Sequence, residues 1–198
     1  MNYLAHIALA GDNPEHQVGG LLGDFVRGPL VGNFSPGIET GIQAHRQLDS
    51  FVDQQPEMRL FLQRFESPMR RYAGIVADVF YDHLLALSWH DYHQQPLADF
   101  CQDFYRQLGT HQAVLPLRAQ HFLQHAPAIG WLEGYAQADH LPMILERIGE
   151  RLRRPVALQE ALPIIAPHRA AITEEFHQLY PRLQAFVGTT LQEIELHY

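Results

Sequence analysis

The chain contains no lysine: all fourteen of its basic side chains are arginine. That absence removes a Schiff-base amine, a lysine general base and the phosphate-cradling lysine of a P-loop together. Arginine leaves forked contacts to phosphate available. Cysteine is nearly missing as well, with Cys101 alone, so there is no internal disulfide, no thiolate zinc site and no Cys-x-x-Cys redox pair. An intracellular, cytoplasmic protein fits these absences best. No apolar run approaches the roughly 18 to 20 residues of a membrane span, so no membrane partner is expected. Residues 1–12 lack a basic n-region and are interrupted by His6, so they read as part of the mature protein and not as a signal peptide. Positive charge is in deficit. The net charge is −8 with a pI near 5.9, which argues against a nucleic-acid backbone as partner, since that would need a basic footprint.

What is present is ordinary globular material: 198 residues, 46% hydrophobic and 18% charged, enough for one domain spanning 1–198 with a full core. Apolar residues recur at three and four throughout, and no stretch alternates with period two, so the expected class is all-α, a single-domain helical bundle. Pro14 opens a first stripe (Val18, Leu21, Leu22, Phe25, Val26) that ends at Gly28-Pro29, with Asp24 inside it. A second helix is expected from 38 to 53, with His45, Asp49 and Asp53 on one face. Ser67 and Pro68 are expected to cap and start a third, running through Trp89. Further helices are expected near 95–108, 111–125, 128–136, 139–152, 157–164 and 167–187, with Pro155, Pro163, Pro167 and Pro181 as punctuation. Gly19, Gly20 and Gly23 fall within a helical stripe with no strand before it, so they read as close helix packing and not as a phosphate-binding loop.

The chemistry concentrates on a few acids and imidazoles in apolar surroundings. Asp78 and Asp82 stand one turn apart in a strongly apolar helix, where a carboxylate needs a strong partner, and His83 follows directly. With Asp24 and His45 they make a mixed oxygen and nitrogen set across three helices, which suits Mn²⁺, Mg²⁺ or Fe²⁺ better than a thiolate-loving metal. Local ion pairs, such as His45 with Asp49 or Asp24 with Arg27 or Arg46, are the bland reading of the same residues. In a chain with 13 histidines, His-Asp dipeptides arise by chance, so His90-Asp91 and Asp139-His140 carry little weight, and Asp99 with Asp103 reads as a solvated face. Arg147, Arg151, Arg153 and Arg154 form a basic helix end, which favours the C-terminal dipole and also offers a surface to an acidic partner.

Taken together, the strings Met1-Asn2-Tyr3-Leu4-Ala5-His6, Leu21-Leu22-Gly23-Asp24-Phe25-Val26-Arg27-Gly28, His45-Arg46-Gln47-Leu48-Asp49 and Asp78-Val79-Phe80-Tyr81-Asp82-His83 resemble the bacterial acyl carrier protein phosphodiesterases. The resemblance continues through Arg153-Arg154-Pro155 to Tyr180-Pro181-Arg182. It implies a helical fold distantly related to the HD-type (His-Asp) metal-dependent phosphohydrolases, with Mn²⁺ as cofactor. It also implies release of 4′-phosphopantetheine from holo-acyl carrier protein as the reaction. On that footing Asp24, His45, Asp78 and Asp82 are the expected metal ligands, with His6 as an additional one. Asp49 or His83 is expected to orient or deprotonate the water, and Arg27 or Arg46 to stabilise the phosphoryl charge. The four arginines at 147–154 are the expected docking surface for the carrier. Arg46, not an aspartate, follows His45, which departs from the wider superfamily pattern. Two rival readings are a phosphohydrolase of a nucleotide or other small phosphodiester, and a non-catalytic helical module that binds the carrier.

Overall fold

Proline and small polar caps start the first helices of the computed structural model, which describes residues 1–196. Asn2 caps α1 (Tyr3–Leu9), its side chain accepting from the Tyr3 amide. Asn13 caps α2 (Pro14–Leu22) and Ser35 caps α3 (Pro36–Val52), each with proline in the first turn, where the missing N–H costs nothing. α4 (Pro56–Gln63) follows, then a 3-10 turn, Met69–Tyr72, and α5 (Ala73–Leu87). The second half holds α6 (Trp89–Tyr92), α7 (Leu97–Thr110), α8 (Leu117–His125), α9 (Leu141–Glu150), α10 (Leu162–Ile165) and α11 (Arg169–Glu195), joined by 3-10 turns. The described residues contain no strand, so the all-α expectation holds. Their buried apolar side chains form one contiguous cluster reaching from Met1 to Ile194. No helix among them is long and apolar enough to cross a membrane.

Several of the expected helix limits move: the stretch 128–136 forms only 3-10 turns, the helix expected at 111–125 begins at Leu117, that at 157–164 is a 3-10 turn running into α10, and α5 ends at Leu87, before Trp89. α2 stops at Leu22, with Phe25 and Val26 folding back to bond the Leu22 carbonyl. Asp24 therefore sits exposed in a turn and not in a buried stripe. Ser67 and Pro68 do not start α5; the 3-10 turn intervenes, and Tyr72 at φ −110°, ψ 0° holds the α-helix off until Ala73. Pro181 does not punctuate but lies inside α11. Its ring is exposed, so the helix tolerates the lost N–H because the freed carbonyl one turn back can turn to water.

Two close approaches place the functional side chains. α2 packs on α1 and α3 through its glycines. A Cβ at Gly19 would meet the Ile38 carbonyl and the Gly41 backbone, and one at Gly20 would reach the His6 carbonyl at 2.7 Å. Only glycine allows backbones this near. The reading of these residues as helix packing is correct.

The second approach is polar. α5 is apolar and buried almost all round, and its Asp82 is fully buried. Oδ1 accepts from the Asn2 amide at 3.1 Å and the Ala5 amide at 3.3 Å, while Oδ2 accepts from Leu4 at 2.8 Å. These are first-turn amides of α1, which have no partner within their own helix. Asp78, one turn earlier and partly exposed, meets the Met1 ammonium at 2.7 Å. Burial drives the Asp82 carboxyl up to about 7, against the Met1 ammonium and the three amides, which favour its ionised form.

Truncating Asp82 leaves those amides buried without acceptors, at about 1–3 kcal/mol each. Asp82→Ala should therefore lose about 3 kcal/mol or more in urea unfolding, whereas Asp91→Ala, on the exposed end of α6, should stay within about 0.5 kcal/mol. Equal midpoints for the two variants would show that the α1 anchor is not where the stability resides.

Candidate metal centre

α1 brings His6 to α3, where His45 and Asp49 lie one turn apart. The two imidazoles stack with ring centroids 3.7 Å apart and planes at 22°. His6 Nε2 lies 3.1 Å from Asp49 Oδ1, and His45 Nε2 lies 3.3 Å from Asp49 Oδ2. One donor atom from each residue falls within 4.8 Å of the others. Both histidine side chains are buried, while about half of the Asp49 side chain faces solvent. Behind the rings, between α1, α2, α3 and α11, the space is only about 10 Å³, at or below the room one water needs. Approach is therefore from the Asp49 side.

The protonation pattern suits a cation. His45 Nδ1 lies 2.7 Å from the Gly20 carbonyl, which can only accept, so Nδ1 carries the proton. Nε2 is then the ring nitrogen that faces Asp49. This is the second-sphere arrangement that prepares an imidazole for a metal. His6 Nε2 faces two acceptors, the Met1 carbonyl at 3.1 Å and Asp49, and its buried Nδ1 has no partner. Acceptors converging in this way need a proton or a metal ion between them. Burial, reinforced by the neighbouring His45, lowers His6 to about 3 and keeps it neutral. Burial also opposes ionisation of Asp49, but the contacts from His45 and His6 outweigh it and hold the carboxyl far below the usual range. A metal ion would take the place of the protons through which the imidazoles now hold Asp49, since ligation requires those nitrogens free of them. The residues fit a divalent ion.

The other expected residues scatter around this centre. Asp24 lies outside the three-residue group but within electrostatic reach of His45, Asp49 and Asp78. Asp78 and Asp82 are held by the Met1 ammonium and the α1 amides. Both stand outside the group, because the positive charge and N–H donors they need come from the chain's own N-terminal turn. His83 is fully buried and faces elsewhere: Nδ1 donates to the Tyr135 carbonyl at 2.6 Å, and Nε2 accepts from Arg169 at 3.3 Å. Arg46 donates to the Val26 carbonyl at 3.0 Å and so pins the turn that carries Asp24, while Arg27 on that turn is exposed. His90 and Asp99 are exposed, and the group contains neither. Spacing already pairs His45 with Asp49 at i, i+4 on α3. The stacking of His6 on His45 has no such sequence signal, because it joins residues 39 positions apart on separate helices.

A cavity of about 550 Å³ opens at Tyr3, one turn before His6 on α1, and at Phe25, next to Asp24. Tyr3, Phe25, Phe122 and Trp131 wall it, and Arg118, Arg147 and Arg151 also line it. Arg147 and Arg151, read from sequence as a helix-end cluster, thus border a pocket, while Arg153 and Arg154 lie exposed beyond it.

Gly23 is what lets His45 stand where it does: a Cβ there would overlap the imidazole. Gly23→Ala keeps an ordinary helical φ of −51°, so it should fold, yet push His45 aside and weaken Mn²⁺ binding roughly 10- to 100-fold. Gly109→Ala, with open space around it, is the control and should bind as the unmodified protein does. Calorimetric titration of both variants checks this, and equal affinities would contradict it.

Residues 1–183 match the family model described as acyl carrier protein phosphodiesterase. Three similar proteins carry that same name. One from Serratia proteamaculans (strain 568) is 33% identical over 184 residues, covering 92% of this chain and 95% of its own. One from Escherichia coli O157:H7 is 34% identical over 186 residues, covering 93% and 96%. One from Pectobacterium atrosepticum is 32% identical over 190 residues, covering 96% and 98%. No solved structure matches the chain, so the kinship to the HD-type phosphohydrolases that the resemblance implies finds no support from a structural neighbour. The match over residues 1–183, with relatives 32–34% identical along nearly their whole length, places this chain in the acyl carrier protein phosphodiesterase family.

Proposed function

We propose that the chain is a metal-dependent phosphodiesterase that hydrolyses the bond between 4′-phosphopantetheine and the serine of holo-acyl carrier protein, yielding the apo-carrier and free 4′-phosphopantetheine. The observation that carries the metal requirement is the convergence of His6, His45 and Asp49, with one donor atom of each within 4.8 Å of the others. The family supports the substrate. His6, His45 and Asp49 hold the ion, and Mn²⁺ is the expected species, with Mg²⁺ or Fe²⁺ as alternatives for the same nitrogen and oxygen donors. When bound, the ion neutralises charge on the non-bridging oxygens and lowers the pKa of water.

The protein's own groups do the rest. Asp24, exposed on the turn after α2 and close to His45 and Asp49, takes the proton from the attacking water. Arg27 on the same turn offers its guanidinium to the phosphoryl oxygens, and Arg46 keeps that turn in place through Val26. Asp78 and Asp82 act one layer back, fixing α1 so that His6 meets His45, and His83 stabilises the segment at Tyr135. Arg147, Arg151, Arg153 and Arg154 receive the acidic carrier. A chain of net charge −8 would otherwise repel it, so positive charge must be local. The cytoplasm is the compartment this substrate implies.

Incubation with holo-carrier followed by mass measurement tests the reading. The carrier should lose one phosphopantetheine mass with Mn²⁺ and none after chelation. His6→Ala, His45→Ala, Asp49→Ala and Asp24→Ala should each lower turnover about 100-fold or more, while His90→Ala and Asp99→Ala remain active. Full activity in chelator would remove the metal from the mechanism.

Charge reversal at Arg153 and Arg154 should raise KM for the carrier several-fold and reduce its dependence on salt, with kcat little changed. An unchanged KM that is insensitive to salt would place the docking surface elsewhere.

A further inference from the structure

We propose that the cavity walled by Tyr3, Phe25, Phe122 and Trp131 is the lodging for the pantetheine arm of the carrier, a claim that rests on the reading above. The scissile phosphate joins two unequal groups. A folded carrier cannot enter a space of about 550 Å³, but an uncharged, flexible chain of amides ending in a thiol can, and sites of this size are ordinary for small ligands. That chain must leave the phosphorus through an opening next to the metal centre.

The cavity begins there. Tyr3 lies one turn before His6 on α1, and Phe25 is the next residue after Asp24. The Tyr3 phenol is within electrostatic reach of Asp24, and of Arg118 and Arg151 in the cavity lining. A ligand passing Tyr3 therefore runs from the centre into the pocket.

The shape of the wall favours a chain over a flat ring. Tyr3 stacks on Phe25 at 5.8 Å and meets Phe122 edge-on at 5.3 Å, and Phe25 and Phe122 are 6.5 Å apart. These three rings pack against one another as one surface, with no slot between them into which a nucleobase could slide. His121 and His125, exposed on one face of α8 and also in the lining, offer hydrogen bonds to amides lying along that surface.

The arginines complete the match. Arg118 lies over the Phe25 ring at 5.8 Å and Arg147 over Trp131 at 5.9 Å. Among the described residues neither they nor Arg151 take part in a salt bridge. A neutral arm does not need three cations, whereas the acidic carrier that follows it to the pocket does. Aromatic wall and cationic surround thus answer the two parts of one substrate.

The test compares holo-carrier with bis(p-nitrophenyl) phosphate, which has the bond but not the arm, using the Mn²⁺-loaded protein. In Phe122→Ala the ratio of kcat/KM for holo-carrier to that for the small diester should fall at least tenfold, and Phe122→Leu should restore part of it. Arg70→Ala, exposed and away from the cavity, should leave both values unchanged. Free pantetheine, which lacks the phosphate, should inhibit carrier hydrolysis competitively in the unmodified protein and at least fivefold more weakly in Phe122→Ala. Circular dichroism confirms that each variant is folded. If the ratio stays within twofold in folded Phe122→Ala and pantetheine does not inhibit, the arm lies elsewhere, although the metal-centre reading stands. If the unmodified protein releases nothing from holo-carrier, the proposed function fails and this inference with it.

Discussion

The grip of Asp82 on the first turn of α1 is the constraint on which the site depends. α1 has only seven residues, too few to be stable alone, yet it must deliver His6 to a fixed point above His45. The Asp82 carboxylate does this by taking the amides of Asn2, Leu4 and Ala5 from inside the core. Once those amides are held, the direction of α1 is set, and His6 projects one turn further on. A buried carboxylate without such donors would be neutral or destabilising. In place here, it ties the N-terminal turn to a helix that is apolar and buried almost all round.

Glycine supplies the complementary constraint. Gly19 and Gly20 let α2 approach α3 and α1 at backbone distance, and Gly23 leaves the volume that the His45 ring fills. The same contact closes the centre from behind and provides the Gly20 carbonyl that sets the His45 tautomer. The result is asymmetric, with two buried imidazoles and a carboxylate half open to solvent on the other side. Phosphoryl chemistry needs that combination: fixed donors that exclude stray water, and one face by which a bulky diester can approach. Around the cavity at Tyr3, Arg118, Arg147 and Arg151 concentrate positive charge in a chain whose net charge is −8.

Helical class, the close packing of the α2 glycines and the one-turn pairing of His45 with Asp49 were legible in the residues, because each follows from periodicity or spacing within one helix. Asp78 and Asp82 show where spacing stops. Two acids one turn apart in an apolar helix do announce a strong partner, but the same pattern serves a metal, an ammonium or a row of amides. Pro181 misleads in a similar way, since whether a proline ends a helix depends on whether its freed carbonyl meets water.

The sequence by itself determined the elements and the inventory: an all-α chain, a chemistry restricted to carboxylate, imidazole and guanidinium, and a motif set sufficient to name a family. Tertiary structure alone decided which acid serves which purpose. His6 and His45 are 39 positions apart, and Asp82 and Leu4 are 78 apart. Their meeting depends on how three helices cross, and that is settled by the depth to which glycine-faced backbones can approach, not by any local run of residues. The cavity at Tyr3, Phe25, Phe122 and Trp131 arises in the same way, from four side chains on four segments that share no spacing and become one surface only when the core closes.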